Sequence, residues 1–151
     1  MNRAMRVPTE QDWGNWEADL DQAYAHKIFA GKTLEETMYL FEENVLERTS
    51  DLRFMPPVPF RYYMLGFRNY VLSERVFAVD YEASDAASCF LNLIIEKVEK
   101  EAETIRPIME ELIPAAEYIA ANQTKFGAEV EIYGSFPEKL ARVHALYETD
   151  A

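Results

Sequence analysis

The sequence is poor in two residue types that would point to particular protein classes. It has 151 residues but a single cysteine, Cys89, and only five glycines. One cysteine forms no intramolecular disulfide and no structural zinc site by itself. All-β proteins usually need many glycines in their tight turns, so the scarcity of glycine argues against that class.

Long apolar segments are also missing. The longest stretch without a charged residue, 86–95, is far shorter than the roughly twenty residues that a membrane-spanning helix requires. No apolar segment follows the basic residues at the N-terminus, so the pattern is not typical of a secretory signal. We therefore predict a cytoplasmic protein without a membrane partner.

The short motifs of common metal, cofactor and catalytic sites do not occur. The sequence contains no H-E-x-x-H, no G-x-x-x-x-G-K-[ST] and no G-x-G-x-x-G, and neither histidine follows a glutamate by three residues as di-iron sites require. Cys89 with His26 or His144 would supply a nucleophile and a base, but Cys89 lies in the most apolar segment and is expected to be buried there. We predict no cofactor, no metal and no catalytic residue, which favours a protein without enzymatic activity.

Acidic residues dominate the charge. Twenty-seven acidic and 15 basic side chains give a formal net charge of -12, and 49% of the residues are hydrophobic. This composition is typical of a globular chain that repels nucleic acid and attracts basic partners. At this length we predict one domain over 10–148, with a loose arm over 1–9 and a tail over 149–151.

Apolar residues recur at spacings of three and four, which predicts an all-α fold of about six helices. Thr9 and Thr33 each precede an acidic residue by three positions, as in capping boxes. Prolines at 56, 57 and 59 predict an extended connector between the second and third helices. The strongest apolar stripe predicts a central helix over 85–105, and 123–134 is interpreted as a loop.

One segment departs from the acidic average. Residues 48–75 carry five arginines and two acidic residues, and the segment is rich in aromatic residues. Three of the arginines are seven positions apart, which places them on nearly one line of a continuous helix. Arginine, tyrosine and phenylalanine are typical of binding surfaces. The predicted binding face consists of Arg61, Arg68, Arg75, Tyr63, Phe67 and Tyr70.

Two interpretations of this segment remain open at the level of sequence. In the first, the arginines and aromatic residues bind another protein or a second copy of the chain, and the protein is a non-enzymatic binding or self-assembling module. In the second, the arginines pair with acidic residues of neighbouring helices, and the aromatic residues form the core. An alternative function is a small enzyme or ligand-binding protein with carboxylates around a pocket between helices.

Overall fold

The computed structural model describes residues 5–78 and 82–149, and within these ranges it contains helices and no strand, which confirms the all-α class. The prediction of about six helices is too low, because short helical turns connect the longer helices. Residues 5–9 are not helical, whereas the rest of the predicted arm and residues 150–151 of the predicted tail lie outside the described ranges. The α-helices are α1 (Glu10–Trp13), α2 (Leu20–Phe29), α3 (Leu34–Glu43), α4 (Val45–Phe54), α5 (Pro57–Leu72), α6 (Glu82–Lys100), α7 (Ala102–Ile105), α8 (Met109–Ala121), α9 (Val130–Tyr133) and α10 (Phe136–Thr149), with 3-10 turns at Trp16–Ala18, Glu74–Phe77 and Arg106–Ile108.

Both predicted capping boxes are present. The Thr9 side chain accepts a hydrogen bond from the Asp12 amide and starts α1, and Thr33 starts α3 in the same way. The apolar spacing from Trp13 to Ile28 predicts one continuous first helix, but α1 is much shorter. It ends after one turn at Gly14, whose φ of 66° lies in the region that favours glycine, and the chain re-enters a helix only at α2.

The second predicted helix is divided into α3 and α4 at Asn44. This residue leaves helical geometry with φ -160°, and its side chain accepts a hydrogen bond from the Glu47 amide, which caps α4. The predicted extended connector is correspondingly short. The break between α4 and α5 lies at Met55 and Pro56, because the following prolines fit the first turn of α5, where a helix has no need of their missing amide protons.

The predicted central helix over 85–105 corresponds to α6 and α7, which are separated at Glu101 with φ -142°. Helix α6 packs against α4 and α10, and α5 packs against α3. The interpretation of 123–134 as a loop is wrong in part, because Val130–Tyr133 form the single turn of α9. In the described part of the chain, no helix has the length and apolar character needed to cross a membrane.

Helices α3 and α5 approach each other closely at Gly66. A Cβ atom at this position would lie 3.0 Å from Thr37 Oγ1 and 3.4 Å from Leu34 Cδ2. The close approach lets the Phe67 ring stack on Phe41, with ring centroids 5.0 Å apart and 9° between planes. The aromatic side chains of α5 therefore contribute to the centre of the hydrophobic core.

Candidate functional sites

The arginines of the predicted binding face do not form one surface. Arg61 donates from Nε to the carbonyl oxygen of Thr104 at 2.8 Å and so ties α5 to the last turn of α7. Arg68 donates to the side chain of its neighbour Asn69 at 2.9 Å. Because α5 ends at Leu72, Arg75 lies in the following 3-10 turn and is not on the line of the other two. It forms an ion pair with Glu42 at 2.8 Å.

The aromatic half of the predicted face lies in the interior. Tyr63, Phe67 and Tyr70 are each 0% exposed. The Tyr63 hydroxyl lies 2.8 Å from the carbonyl oxygen of Phe29 and 2.7 Å from that of Lys32, beyond the end of α2. These three rings pack the core of this fold and do not contact solvent, so this part of the predicted face is corrected.

The remaining two arginines of the segment are also engaged within the chain. Arg48 donates to Asp51 at 2.7 Å, and Arg53 donates to Glu96 on α6 at 2.9 Å. Four of the five arginines thus hold carboxylates or backbone carbonyls of the same molecule. This pattern matches the second interpretation of the segment, in which positive charge is used for internal pairing.

A cleft of about 640 Å³ lies between the N-terminal segment, α5 and the start of α8. Its α5 wall consists of residues at helical spacings of three and four, beginning with Val58 and ending with Leu65. The volume is in the range of small-molecule sites, which is roughly 300–1,000 Å³. The lining comprises Met5, Arg6, Asp12, Val58, Arg61, Tyr62, Leu65, Pro107, Ile108, Glu110 and Glu111.

The N-terminal wall of the cleft is held in place by a cluster on α1 and α2. Glu10 Oε2 lies 2.7 Å from His26 Nε2, and the Trp16 indole stacks on the His26 ring at 3.8 Å between centroids. The hydrogen bond from His26 is the largest cause that lowers the pKa of Glu10. These contacts fix α1, and with it Asp12, at the edge of the cleft.

The three carboxylates that line the cleft differ in their hydrogen-bond and ion-pair partners. Asp12 accepts a hydrogen bond from the Thr9 amide, which is the largest cause that lowers its pKa, and lies 3.5 Å from Arg6. Glu110 and Glu111, by contrast, take part in no hydrogen bond or ion pair in the described part of the chain. Glu111 Oε2 is moreover buried.

A second depression, of about 300 Å³, lies between α2 and α4, and we call it the aromatic–acidic pocket. Tyr24 and Phe54 line it and are 43% and 39% exposed. Three carboxylates share the lining. The pocket residues are Asp21, Tyr24, Glu47, Ser50, Asp51 and Phe54.

A buried ion pair forms one side of this pocket. Asp51 and Arg48 are 5% and 6% exposed, and the Arg48 guanidinium lies 6.0 Å from the centre of the Tyr24 ring. Burial raises the pKa of Asp51 to about 6, although the adjacent guanidinium opposes this shift. Asp51 is thus a buried acid beside an arginine, and it lines this smaller depression, not the larger cleft.

The shifted pKa of Asp51 predicts a specific pH dependence. The unfolded value is about 3.9, so between about pH 4 and pH 6 the native state binds more protons at this group than the unfolded state does. The contribution of Asp51 to stability therefore decreases as the pH rises through this window, by at most about 3 kcal/mol. Urea unfolding of the protein and of the Asp51→Asn variant at several pH values isolates the effect. If the unsubstituted protein became more stable relative to Asp51→Asn as the pH rises, the prediction would be contradicted.

The other chemically versatile side chains do not assemble into a catalytic group. His26 lies against Trp16 and Glu10, whereas His144 Nε2 lies 3.6 Å from Glu117. Burial raises the pKa of the Cys89 thiol, which disfavours the nucleophilic thiolate. Within residues 5–78 and 82–149, no three His, Cys, Asp or Glu side chains are grouped as metal ligands.

No family model, no curated protein and no solved structure matches this chain. Sequence reasoning missed both depressions. The residues of the larger cleft come from three segments that are distant in sequence. Those of the aromatic–acidic pocket are charged and aromatic residues that also suit an ordinary amphipathic helix. The adjacent residues Glu110 and Glu111 are one of several acidic pairs in the sequence, and the sequence pattern does not distinguish this pair from the others.

Proposed function

We propose that this protein is a binding module that docks a basic segment of another protein on the exposed surface of α2 and α4. The observation that carries the proposal is the aromatic–acidic pocket, in which exposed aromatic rings adjoin three carboxylates. Cations bind favourably to aromatic faces and to carboxylates, and aromatic residues are enriched in binding hot spots.

Apolar side chains extend the surface along both helices. Leu20 lies four residues before Tyr24 on α2 and is 89% exposed, and Leu46 lies eight residues before Phe54 on α4 and is 58% exposed. Residues four and eight positions apart lie on the same broad side of a helix. The fitting partner therefore presents a lysine or arginine flanked by apolar residues, so that the cation enters the pocket and the apolar groups contact the leucines.

Charge selects a basic partner over a second copy of this chain. Asp21, Glu47 and Asp51 line the pocket, and the Arg48 guanidinium beside them lies 2.7 Å from Asp51 and 3.5 Å from Glu47. In a symmetric dimer the same patch meets itself, so these carboxylates would face one another. The net charge of -12 also steers basic partners toward the protein and repels identical ones.

Fluorescence anisotropy with a labelled peptide tests the proposal. The probe is a short acetylated peptide in which arginine and leucine alternate, and its matched counterpart has glutamate in place of every arginine. We expect the arginine peptide to bind with an affinity that falls as salt is added, because the interaction is partly electrostatic. The glutamate peptide is expected not to bind. Equal binding of the two peptides would overturn the proposal.

Substitutions locate the binding surface. Tyr24→Ala and Phe54→Ala are each expected to weaken binding of the arginine peptide about tenfold, the effect of losing roughly 1.4 kcal/mol at a hot spot. Tyr39→Ala is the matched control, because Tyr39 is 44% exposed and lies on α3 outside the pocket. An equal loss of peptide affinity in Tyr24→Ala and Tyr39→Ala would overturn the proposed location. A dimer that is detected by ultracentrifugation and is abolished by Phe54→Ala would also overturn it, because the surface would then bind a second copy of the chain.

A further inference from the structure

We propose that the cleft between the N-terminal segment, α5 and α8 is a separate binding site for an amphipathic organic cation, in which Glu111 accepts a hydrogen bond from an ammonium or amidinium group of the ligand. This site is independent of the docking surface on α2 and α4, since the two share no lining residue.

The size and the walls of the cleft suit a small organic molecule. Its volume is about 640 Å³, compared with about 300 Å³ for the aromatic–acidic pocket. Val58, Tyr62, Leu65 and Ile108 supply an apolar floor, and Tyr62 and Leu65 are almost fully buried. Concave sites with an apolar floor and a few polar groups are the usual form of ligand pockets. The ligand is therefore expected to carry a ring or an aliphatic group that covers this floor.

Charges around the cleft leave negative groups uncommitted. Arg61 directs Nε to the Thr104 carbonyl oxygen, with Nη2 3.4 Å from that of Glu103, so this guanidinium is held by backbone. Arg6 lies 3.5 Å from Asp12, which largely balances that pair. Glu110 and Glu111 form no ion pair among the described residues, and the lining as a whole holds three carboxylates against two guanidinium groups. The electrostatic preference of the cleft is thus for a cation.

Within the cleft, the Glu111 carboxylate is the group at which we expect the cation of the ligand to bind. Its Oε2 atom is buried and accepts no hydrogen bond from the described residues. A buried acceptor without a donor is costly, and such groups are rare in folded proteins. A cation that binds the same carboxylate through its other oxygen, which is not buried in this way, offsets this cost, whereas an anionic ligand would add repulsion. Hydrogen bonds between ionised groups are also shorter and stronger than neutral ones.

Contacts within the protein hold the walls of the cleft in place, so the site is already formed before a ligand binds. The α1 wall is held by the Glu10 contact with His26, and the α5 wall is held by the Arg61 contact with α7. Tyr62 packs edge-on against the buried ring of Tyr63, with centroids 4.9 Å apart. Little conformational entropy is lost when a ligand enters a site whose walls are already ordered.

Calorimetric titration with three naphthalene derivatives tests the assignment. Naphthylmethylamine, naphthylmethanol and naphthylacetate present the same ring with a cationic, a neutral and an anionic group. We expect the amine to bind at least about tenfold more tightly than the alcohol, the difference expected from one charge-assisted hydrogen bond. We expect no measurable binding of the acetate. Equal affinity for the amine and the acetate would overturn the proposal.

Matched variants test whether Glu111 is the residue that binds the amine. Glu111→Gln keeps the shape of the side chain and is expected to reduce affinity for the amine to that for the alcohol. Glu117→Gln is the control, because it makes the same change on α8 at an exposed residue outside the cleft. Val58→Trp introduces a large side chain at a wall residue that is 42% exposed, and it is expected to abolish binding of both the amine and the alcohol.

Four results would contradict the assignment of the cleft as a separate cation site. Retention of amine affinity in Glu111→Gln would show that this carboxylate does not hold the cation. An equal loss of affinity in Glu117→Gln would show that the net charge alone attracts the ligand. Unchanged binding in Val58→Trp would place the ligand elsewhere. Competition of the amine with the arginine peptide would show that the two sites are not separate.

Discussion

Replacement of Phe67 by alanine is expected to lower the free energy of unfolding by about 3–5 kcal/mol, the usual cost of deleting a buried phenyl ring. The Phe67 ring is 0% exposed, stacks on Phe41 and meets Phe90 edge-on, with centroids 5.3 Å apart. Its removal leaves a cavity between three helices that the rigid backbone fills only in part. Urea unfolding monitored by circular dichroism measures the effect.

The same substitution separates the two interpretations of the arginine-rich segment. If Phe67 belonged to a binding face, its truncation would weaken partner binding and leave stability nearly unchanged. Leu72→Ala is the control on the same helix, because Leu72 is 47% exposed and its loss is expected to cost less than about 1 kcal/mol. Similar unfolding energies for Phe67→Ala and the unsubstituted protein would show that the ring is not part of the core.

Replacement of Lys97 by alanine is expected to cost about 2–4 kcal/mol. Lys97 is 0% exposed, and its Nζ lies 2.9 Å from the carbonyl oxygen of Arg53 and 3.1 Å from Glu101 Oε2. The ammonium also lies 4.6 Å from the centre of the Phe60 ring. Alanine removes the packed aliphatic stem and leaves the Arg53 carbonyl without its donor.

Methionine at the same position distinguishes packing from charge. Lys97→Met fills most of the volume, and Glu101 remains 46% exposed to water, so no isolated charge is buried. We expect a cost of about 1–2 kcal/mol, the penalty of the unpaired Arg53 carbonyl. Denaturant unfolding of both variants measures the difference. An equal loss in Lys97→Met and Lys97→Ala would show that the charge, and not the packed stem, holds α4 to α6.

The all-α class and the first residues of α1 and α3 could be predicted from the sequence, because both depend on patterns among residues that are close together in the chain. The capping boxes at Thr9 and Thr33 are visible as a hydroxyl residue followed three positions later by an acid. Breaks inside apolar stripes were missed. Asn44 divides α3 from α4 although the apolar spacing continues across it, because a side-chain cap outweighs the periodic pattern at one residue.

The candidate binding residues were harder to predict. A stripe of aromatic residues has the same spacing whether it faces the core or a partner, so the pattern of Tyr63, Phe67 and Tyr70 did not reveal their burial. The line of three arginines required one helix through position 75, but α5 ends at Leu72. The cleft depends on contacts among distant segments, which a single sequence does not encode in any short motif.

Recognition of cations by carboxylates in apolar surroundings underlies both proposed sites, and Glu111 is its most direct reporter. Carbon-13 NMR of the side-chain carboxyl groups during titration with naphthylmethylamine measures that recognition at the atoms concerned. We predict a saturable shift of the Glu111 carboxyl resonance, while the resonance of the exposed Glu117 on the same helix stays in place. A Glu111 resonance that does not move, or one that moves no more than that of Glu117, would contradict the account.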